Sequence, residues 1–151
     1  MTFNNDFQEI KLDGFQIVSG EYFRRALRVT SPTSTIWPNS ISFNKAAWTA
    51  LHGCERVRIE VNRTRRCLLI IPVTEKDKDG IRWISKSKDP SVRKMECAPF
   101  TQKLYSLWGW DQNLVYRAAG RIVSAENKIM LLFDFNSPEK WNYKKDGDPN
   151  K

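Results

Sequence analysis

The residues of this sequence whose types and spacing best suit a chemical task are arginines. Five of them lie between positions 56 and 66, where Glu60 is the one acidic residue. They are Arg56, Arg58, Arg63, Arg65 and Arg66. A guanidinium group donates paired hydrogen bonds to phosphate oxygens and to the edge of guanine. This cluster therefore predicts a surface that grips the phosphates of a nucleic acid.

A second basic cluster follows between positions 82 and 94, where Asp89 is the one acidic residue. Its members are Arg82, Lys86, Lys88, Arg93 and Lys94. We expect both clusters to contribute to nucleic-acid binding. The alternative for either cluster is a solvated strand face whose charged edge resists association between sheets.

Residues suited to catalysis or metal binding are few. His52 is the one histidine, and Cys54 stands two residues away with no third group to orient the imidazole. His52, Cys54 and Cys67 do not have the spacing of a zinc site, and no glycine-rich phosphate loop is present. We therefore expect a protein that is not an enzyme and that uses no cofactor or metal.

Composition supports a basic globular protein. The chain has 151 residues and a formal net charge of +8, which attracts polyanions. Its three cysteines do not suggest a disulfide framework, and its longest apolar run, Cys67–Ile71, is too short to cross a bilayer. Because the first residues do not resemble a signal peptide, the predicted location is the cytoplasm, without membrane association.

The elements that must position the first cluster follow from periodicity. Apolar and polar residues alternate over Arg56–Asn62, which predicts a half-buried strand. Asn62–Arg66 is the predicted turn, and the apolar run Cys67–Val73 is the predicted partner strand. Upstream, the pattern predicts strands at Thr33–Trp37 and Ser40–Phe43, followed by a helix that Asn44 caps and that ends before Gly53.

A similar pattern recurs later in the chain. Cys97–Gly109 repeats the order of Ser40–Gly53, namely a phenylalanine, a cap residue, a short amphipathic helix and a final glycine. Thr101 is the predicted cap of this second helix. Strands are then expected at Leu114–Ala119, Ile122–Val123 and Lys128–Phe135, with a turn at Ala125–Asn127.

These patterns predict one α+β domain of mainly antiparallel strands and two short helices. An internal duplication of a strand-helix-strand-strand unit, at about 33–73 and 92–135, would form one pseudo-symmetric domain. Residues 1–14 and 144–151 are predicted to be loosely ordered tails.

Three shorter segments carry predictions of their own. The charged run Glu75–Gly80 ends in Asp-Gly and predicts a hairpin into a strand at Ile81–Ser85. Phe15–Val18 could form a first strand, and Glu21–Val29 is ambiguous. Ser137-Pro138-Glu139 has the residue order of a helix start.

Six tryptophans could also take part in binding, because nucleic-acid bases stack on such rings. Trp48 and Trp108 lie on predicted helix faces and are expected in the core. Trp37, Trp83 and Trp110 lie at strand or turn positions where they could be exposed.

The stretch Ile41–Pro72 resembles the swapped-hairpin domains of the AbrB and MraZ transcription factors. The resemblance rests on the strand Ser40–Phe43, the helix ending Leu51-His52-Gly53, the alternating strand Val57–Val61 and the closing strand Leu68–Pro72. A duplicated copy in one chain is similar to MraZ, and the resemblance implies an intramolecular pseudo-dimer. The Asp-x-x-x-Arg signature of MraZ is missing from both helices.

The function expected from these observations is nucleic-acid binding without catalysis, as in a transcriptional regulator or a mobile-element accessory protein. The Arg-rich hairpin would contact phosphates, and its turn would reach base edges. One alternative is a protein-interaction or assembly module whose basic face meets an acidic partner. A second alternative is a binder of single-stranded nucleic acid.

Overall fold

A computed structural model describes residues 8–19 and 31–143 of the chain. Within these ranges the helices are α1 (Lys45–Ala50) and α2 (Ala98–Leu107). The strands are β1 (Thr33–Ile36), β2 (Ser40–Phe43), β3 (Arg56–Asn62), β4 (Cys67–Val73), β5 (Ile81–Arg82), β6 (Met95–Glu96), β7 (Leu114–Ala125), β8 (Lys128–Asp134) and β9 (Glu139–Asn142). The strand pairings are antiparallel, so the predicted α+β class with mainly antiparallel strands is confirmed.

The strands form a sheet whose two ends meet. Their order is β5-β3-β4-β8-β7-β1-β2-β6, and β9 pairs with β7 beside this path. Strands β5 and β6 stand at opposite ends of the order but are consecutive in the chain. The segment between them pairs with itself through Ile84 and Val92, and the Arg93 amide donates to the Trp83 carbonyl oxygen at 3.4 Å. The sheet therefore closes into a ring of eight strands.

Helix α1 begins as its sequence predicts. The Asn44 side chain accepts a hydrogen bond from the Ala47 amide at 3.1 Å and another from the Thr33 amide at 2.9 Å. Gly53 has a φ of 69°, the left-handed conformation that terminates helices and that glycine adopts without strain. Asn44 thus caps α1 and also fixes the helix to the start of β1.

Helix α2 begins earlier than predicted. Its N-cap is Cys97, and Pro99 occupies the first turn, where its missing N–H costs nothing. Thr101, the predicted cap, lies inside the helix and is buried. Its hydroxyl donates to the Pro38 carbonyl oxygen at 2.7 Å, so this residue connects α2 to the β1–β2 turn instead of starting the helix.

The predicted hairpin between β4 and β5 is wrong. Strand β5 pairs with β3, with Arg82 opposite Arg56, whereas the second edge of β4 is occupied by β8. The connecting loop passes over β3, because Asp77 pairs with Arg58 on that strand. The Asp-Gly signal marks a turn correctly, but it cannot specify which strand the returning chain joins.

Strand β7 is one continuous strand of 12 residues where two shorter ones were predicted. Its first part, through Ala119, pairs with β1 and β9, and its second part, from Gly120, pairs with β8. Gly120 lies at this change of partner, directly opposite Phe133. A Cβ atom at position 120 would lie 2.5 Å from the Phe133 ring, so the glycine leaves room for that buried side chain.

We expect Gly120→Ala to lower the free energy of unfolding by about 1–3 kcal/mol, the usual cost of overpacking a core. Phe133 is fully buried and cannot move aside easily. Urea denaturation followed by circular dichroism measures the change. Gly109→Ala is the control, because a Cβ atom at position 109 meets open space. Any loss of stability in that variant reflects only the strain of alanine at a positive φ. An unchanged midpoint in the Gly120 variant would contradict this packing.

Two further predictions of secondary structure are wrong. Residues 137–139 do not begin a helix; Glu139–Asn142 forms strand β9, because the first part of β7 has an edge available for pairing. Phe15–Val18 is exposed and is not a strand. Residues 8–14 of the predicted N-terminal tail are exposed and irregular, whereas residues 1–7, Glu21–Val29 and residues 144–151 lie outside the described residues.

The ring encloses one cluster of buried side chains that draws on both predicted repeats. Phe43 contacts the rings of Trp83 and Phe133, each with a centroid separation of 5.5 Å. Trp83 is 1% exposed, so it is a core residue and not a candidate for base stacking. Trp108 is buried as predicted, and Trp48 is half-buried.

Candidate nucleic-acid interface

The basic turn, Asn62–Arg66, connects β3 to β4. The Asn62 side-chain oxygen accepts a hydrogen bond from the Arg65 amide at 2.9 Å, which closes the turn locally. Arg66 has a φ of 55°, and this left-handed residue returns the chain to β4. Arg63 and Arg65 are exposed, and Arg66 is half-buried.

Other parts of the fold hold the backbone of the basic turn from outside. The Trp108 indole donates to the Arg63 carbonyl oxygen at 3.2 Å. The Asn136 side-chain amide donates to the Arg65 carbonyl oxygen at 2.6 Å, and the Phe135 amide donates to that of Arg66 at 2.8 Å. Because α2 and the residues after β8 both bind the turn, its arginines extend from a fixed backbone.

Arg56 and Arg58, which the sequence placed in the same cluster, have structural partners. Arg58 forms ion pairs with Glu60, at 3.0 Å, and with Asp77. Hydrogen bonds to Asp77 and then Glu60 raise the pKa of Arg58 above its ordinary value. Arg56 donates to the Gly80 carbonyl oxygen at 2.9 Å. Both arginines therefore hold the β4–β5 loop against β3.

The second basic cluster lies at the opposite end of β3. Arg82 stands opposite Arg56, and the chain beyond it runs away from the basic turn. Since β3 has seven residues, the two ends of the strand are about 20 Å apart. The two clusters therefore form separate surfaces.

Within the second cluster, the side chains differ in their contacts. Arg82 pairs with Glu55 at 2.9 Å and donates to the Ser85 carbonyl oxygen at 3.2 Å. The Lys94 ammonium group lies 4.2 Å from the centre of the half-buried Trp37 ring. Lys86, Lys88 and Arg93 are exposed.

Arg121 is a further arginine near the basic turn that the sequence analysis did not select. It stands opposite Leu132 on β8, and Asp134 on that strand stands opposite Cys67 on β4. Burial raises the pKa of the Cys67 thiol, as does Asp134, whereas Arg121 and Arg65 act to lower it. Cys67 therefore lies within the electrostatic influence of Asp134, Arg65 and Arg121. The position of Arg121 near Cys67 follows from the strand register and not from its place in the sequence.

A groove of about 550 Å³ lies beside the basic turn on the outer face of the sheet. The exposed Arg63 and Arg65 line one part of it, and Val61, Cys67, Leu69 and Leu132 contribute apolar surface. The remaining lining residues are Glu60 and Asn62. The Cys67 thiol donates to the Arg65 carbonyl oxygen at 3.3 Å.

Stability at low pH should depend on two carboxylates. The pKa of Asp134 is lowered chiefly by the Asn136 amide, and that of Asp77 chiefly by the Asp79 amide, each from an ordinary value of 3.8. A lowered pKa gives stability that is present above pH 3.8 and is lost as pH falls through the folded-state pKa. The melting temperature of the Asp77→Asn, Asp134→Asn variant should therefore fall less than that of the native protein between pH 5 and pH 2. Parallel curves would contradict the assignment.

His52 and Cys54, the residues nearest to a catalytic pair in the sequence, follow the end of α1. His52 is exposed, and burial raises the pKa of the nearby Cys54 thiol. The Cys54 carbonyl oxygen accepts hydrogen bonds from the indoles of Trp48 and Trp83, which is a structural role. No group of three or more possible metal ligands occurs within residues 8–19 and 31–143. In the same part of the chain, no helix has the length and apolar character needed to cross a membrane.

Comparisons with protein-family models, with curated proteins and with solved structures find no match to this chain.

Proposed function

We propose that this protein binds nucleic acid without catalysing a reaction, and that the basic turn grips the phosphate backbone. The observation that carries the proposal is the contrast between two sets of arginines. Arg58 and Arg82 form ion pairs, whereas within the described residues no ion pair forms at the three arginines of the basic turn. Their charge is therefore available to a partner.

The rigidity of the basic turn favours this role. Binding by a flexible loop would lose conformational entropy, which reduces affinity. Here three carbonyl oxygens of the turn already accept hydrogen bonds from the rest of the fold. Guanidinium groups on this backbone can form paired hydrogen bonds with phosphate oxygens without a further loss of backbone entropy. Such binding suits a transcriptional regulator or a mobile-element accessory protein.

We further propose that the fold contains two related units, as the sequence pattern suggests. The unit β1-β2-α1-β3-β4 would correspond to β5-β6-α2-β7-β8. Support comes from the pairing: β1 pairs with β7 as β5 pairs with β3, while β2 pairs with β6 and β4 pairs with β8. This correspondence extends the second unit upstream, from residue 92 to residue 81.

The resemblance to AbrB and MraZ domains remains a proposal beside this one. It would make the chain an intramolecular pseudo-dimer in which the two units have diverged in charge. The basic turn belongs to the first unit, and its counterpart between β7 and β8 is Glu126-Asn127, which carries no arginine. Binding is accordingly assigned to the first unit.

The proposal is tested by the salt dependence of binding to short oligonucleotides, measured by fluorescence anisotropy. Three phosphate contacts give a slope of log K against log salt of about −2.7 on duplex DNA. We expect a slope at least this steep on duplex DNA, a loss of about 40-fold in affinity for a fourfold rise in salt, and a slope of at least about −2.1 on single strands, a loss of about 18-fold. A flat response, or no binding to single or double strands, would overturn the proposal.

A further inference from the structure

The groove beside the basic turn has an apolar strip on a face where solvent-exposed polar residues are expected. Across β3, β4, β8 and β7, the residues in register are Glu60, Leu69, Leu132 and Arg121. The two leucines in the middle of this row are half-buried. Two residues closer to the basic turn along these strands, and on the same face, Cys67 lies between Asn62 and Asp134. The strip is therefore apolar at its centre and polar or charged on both sides.

We propose that this groove holds an unpaired base of a single-stranded nucleic acid whose adjoining phosphates contact the basic turn. The inference rests on the proposed function, which it narrows from nucleic acid in general to strands with unstacked bases. It also assigns binding roles to Leu69 and Leu132, two residues that phosphate contacts alone would not require.

The chemistry of a nucleotide matches the groove at each part. The faces of a base are apolar and pack against aliphatic side chains such as those of Leu69 and Leu132. The base edge carries amino and imino groups that can donate hydrogen bonds to the Glu60 carboxylate, of which one oxygen already pairs with Arg58 at 3.0 Å. Its phosphate is anionic and suits Arg63 and Arg65, which line one part of the groove. A volume of about 550 Å³ is within the usual range of sites for small molecules.

A double helix cannot use the groove in this way. Its bases are stacked on one another, so their faces are covered, and only their edges and the phosphates face outwards. A duplex could contact the basic turn but would leave the apolar strip exposed to water. Single strands should therefore gain binding energy that duplexes of equal charge do not.

The test compares three probes of equal length: a single-stranded oligonucleotide, the same strand with abasic sites throughout, and a duplex. We expect the base-bearing strand to bind about tenfold more tightly than the abasic strand, because the base buries apolar surface against the two leucines. Leu69→Ser, Leu132→Ser should remove that difference while leaving the salt slope unchanged. Ile122→Ser is the matched control, because Ile122 is 58% exposed and does not line the groove.

The outcomes separate this inference from the proposed function. Equal affinity for base-bearing and abasic strands overturns the base site but leaves phosphate binding by the turn intact. The same conclusion follows if duplex binds most tightly and the leucine variant has no effect. Absence of salt-dependent binding to all three probes overturns the proposed function and this inference together.

A measurement on the native protein avoids any effect of substitution on folding. Cys67 lies in the groove, whereas Cys54 and Cys97 do not. Saturation with the base-bearing strand should slow the reaction of Cys67 with a thiol reagent at least several-fold and leave the other two rates unchanged. The abasic strand should not slow it. Equal labelling of Cys67 with and without the base-bearing strand would overturn the base site.

Discussion

Replacing Arg63, Arg65 and Arg66 together by alanine is expected to weaken oligonucleotide binding about 100-fold at low salt, which is equivalent to about 2.8 kcal/mol. The slope of log K against log salt should become less steep by about 2.7 on duplex DNA and by about 2.1 on single strands, because three phosphate contacts are lost. The melting temperature should change little, since the hydrogen bonds that hold the basic turn use backbone carbonyl oxygens, which alanine retains. Fluorescence anisotropy at several salt concentrations measures both binding quantities.

The matched control for this variant is Lys86→Ala, Lys88→Ala, Arg93→Ala. It removes the same charge from exposed residues at the far end of β3. If the basic turn is the binding surface, the control should lose only the general electrostatic attraction and keep most of its affinity. Equal losses in the two variants would show that net charge governs binding and would contradict a localised site.

Trp83→Ala is expected to lower the free energy of unfolding by about 3–5 kcal/mol, the cost of a large cavity in a packed core. Trp83 contacts Phe43 on β2, and its indole donates to the Cys54 carbonyl oxygen at 2.8 Å. It therefore connects the segment after β5 both to β2 and to the residues before β3. Urea denaturation followed by circular dichroism measures the loss, and both halves of the chain should unfold in one transition.

Trp141→Ala is the control for that substitution. Trp141 lies on β9 with 36% of its surface exposed, and its ring contacts Arg117 at 4.8 Å. Its removal should cost about 1–2 kcal/mol, less than that of Trp83, because about a third of its surface is exposed and no cavity forms inside the core. If the two tryptophan variants are equally stable, Trp83 is not the centre of the core.

The local elements of the chain were largely predictable from its sequence. Strands β2, β3 and β4 begin and end where predicted. In each case a pattern of alternating apolar and polar residues, or a run of apolar residues, ends at residues typical of turns. Asn44 was identified as a cap because its side chain needs only the first turn of α1 to act. The turn after β7 was also located correctly, with Glu126 and Asn127 at φ values of 52° and 64°.

What could not be predicted was the choice of partner between distant segments. The Asp-Gly turn predicts that β5 pairs with β4, but β5 pairs with β3 instead. An ion pair between Arg58 on β3 and Asp77 in the connecting loop holds that loop beside β3. Ser137–Glu139 has the sequence of a helix start, but an available strand edge on β7 determines its conformation. Such long-range contacts override local propensity.

The same distinction applies to the candidate site. The sequence places five arginines in one cluster, but their contacts in the fold divide them into two groups. Arg56 and Arg58 hold the β4–β5 loop, whereas the other three belong to the basic turn. Arg121 joins the site through strand register, which sequence spacing does not reveal. The apolar strip of Leu69 and Leu132 likewise arises only when β4 and β8 pair.

The most direct test of phosphate binding by the basic turn observes the arginine side chains during an NMR titration. Oligonucleotide should shift the Nε–Hε resonances of Arg63, Arg65 and Arg66, with those of Arg58 and Arg82 as internal references that stay in their ion pairs. We expect saturable shifts at the three arginines and little change at the references. Shifts confined to Arg93, or to no arginine, would contradict phosphate binding by the basic turn.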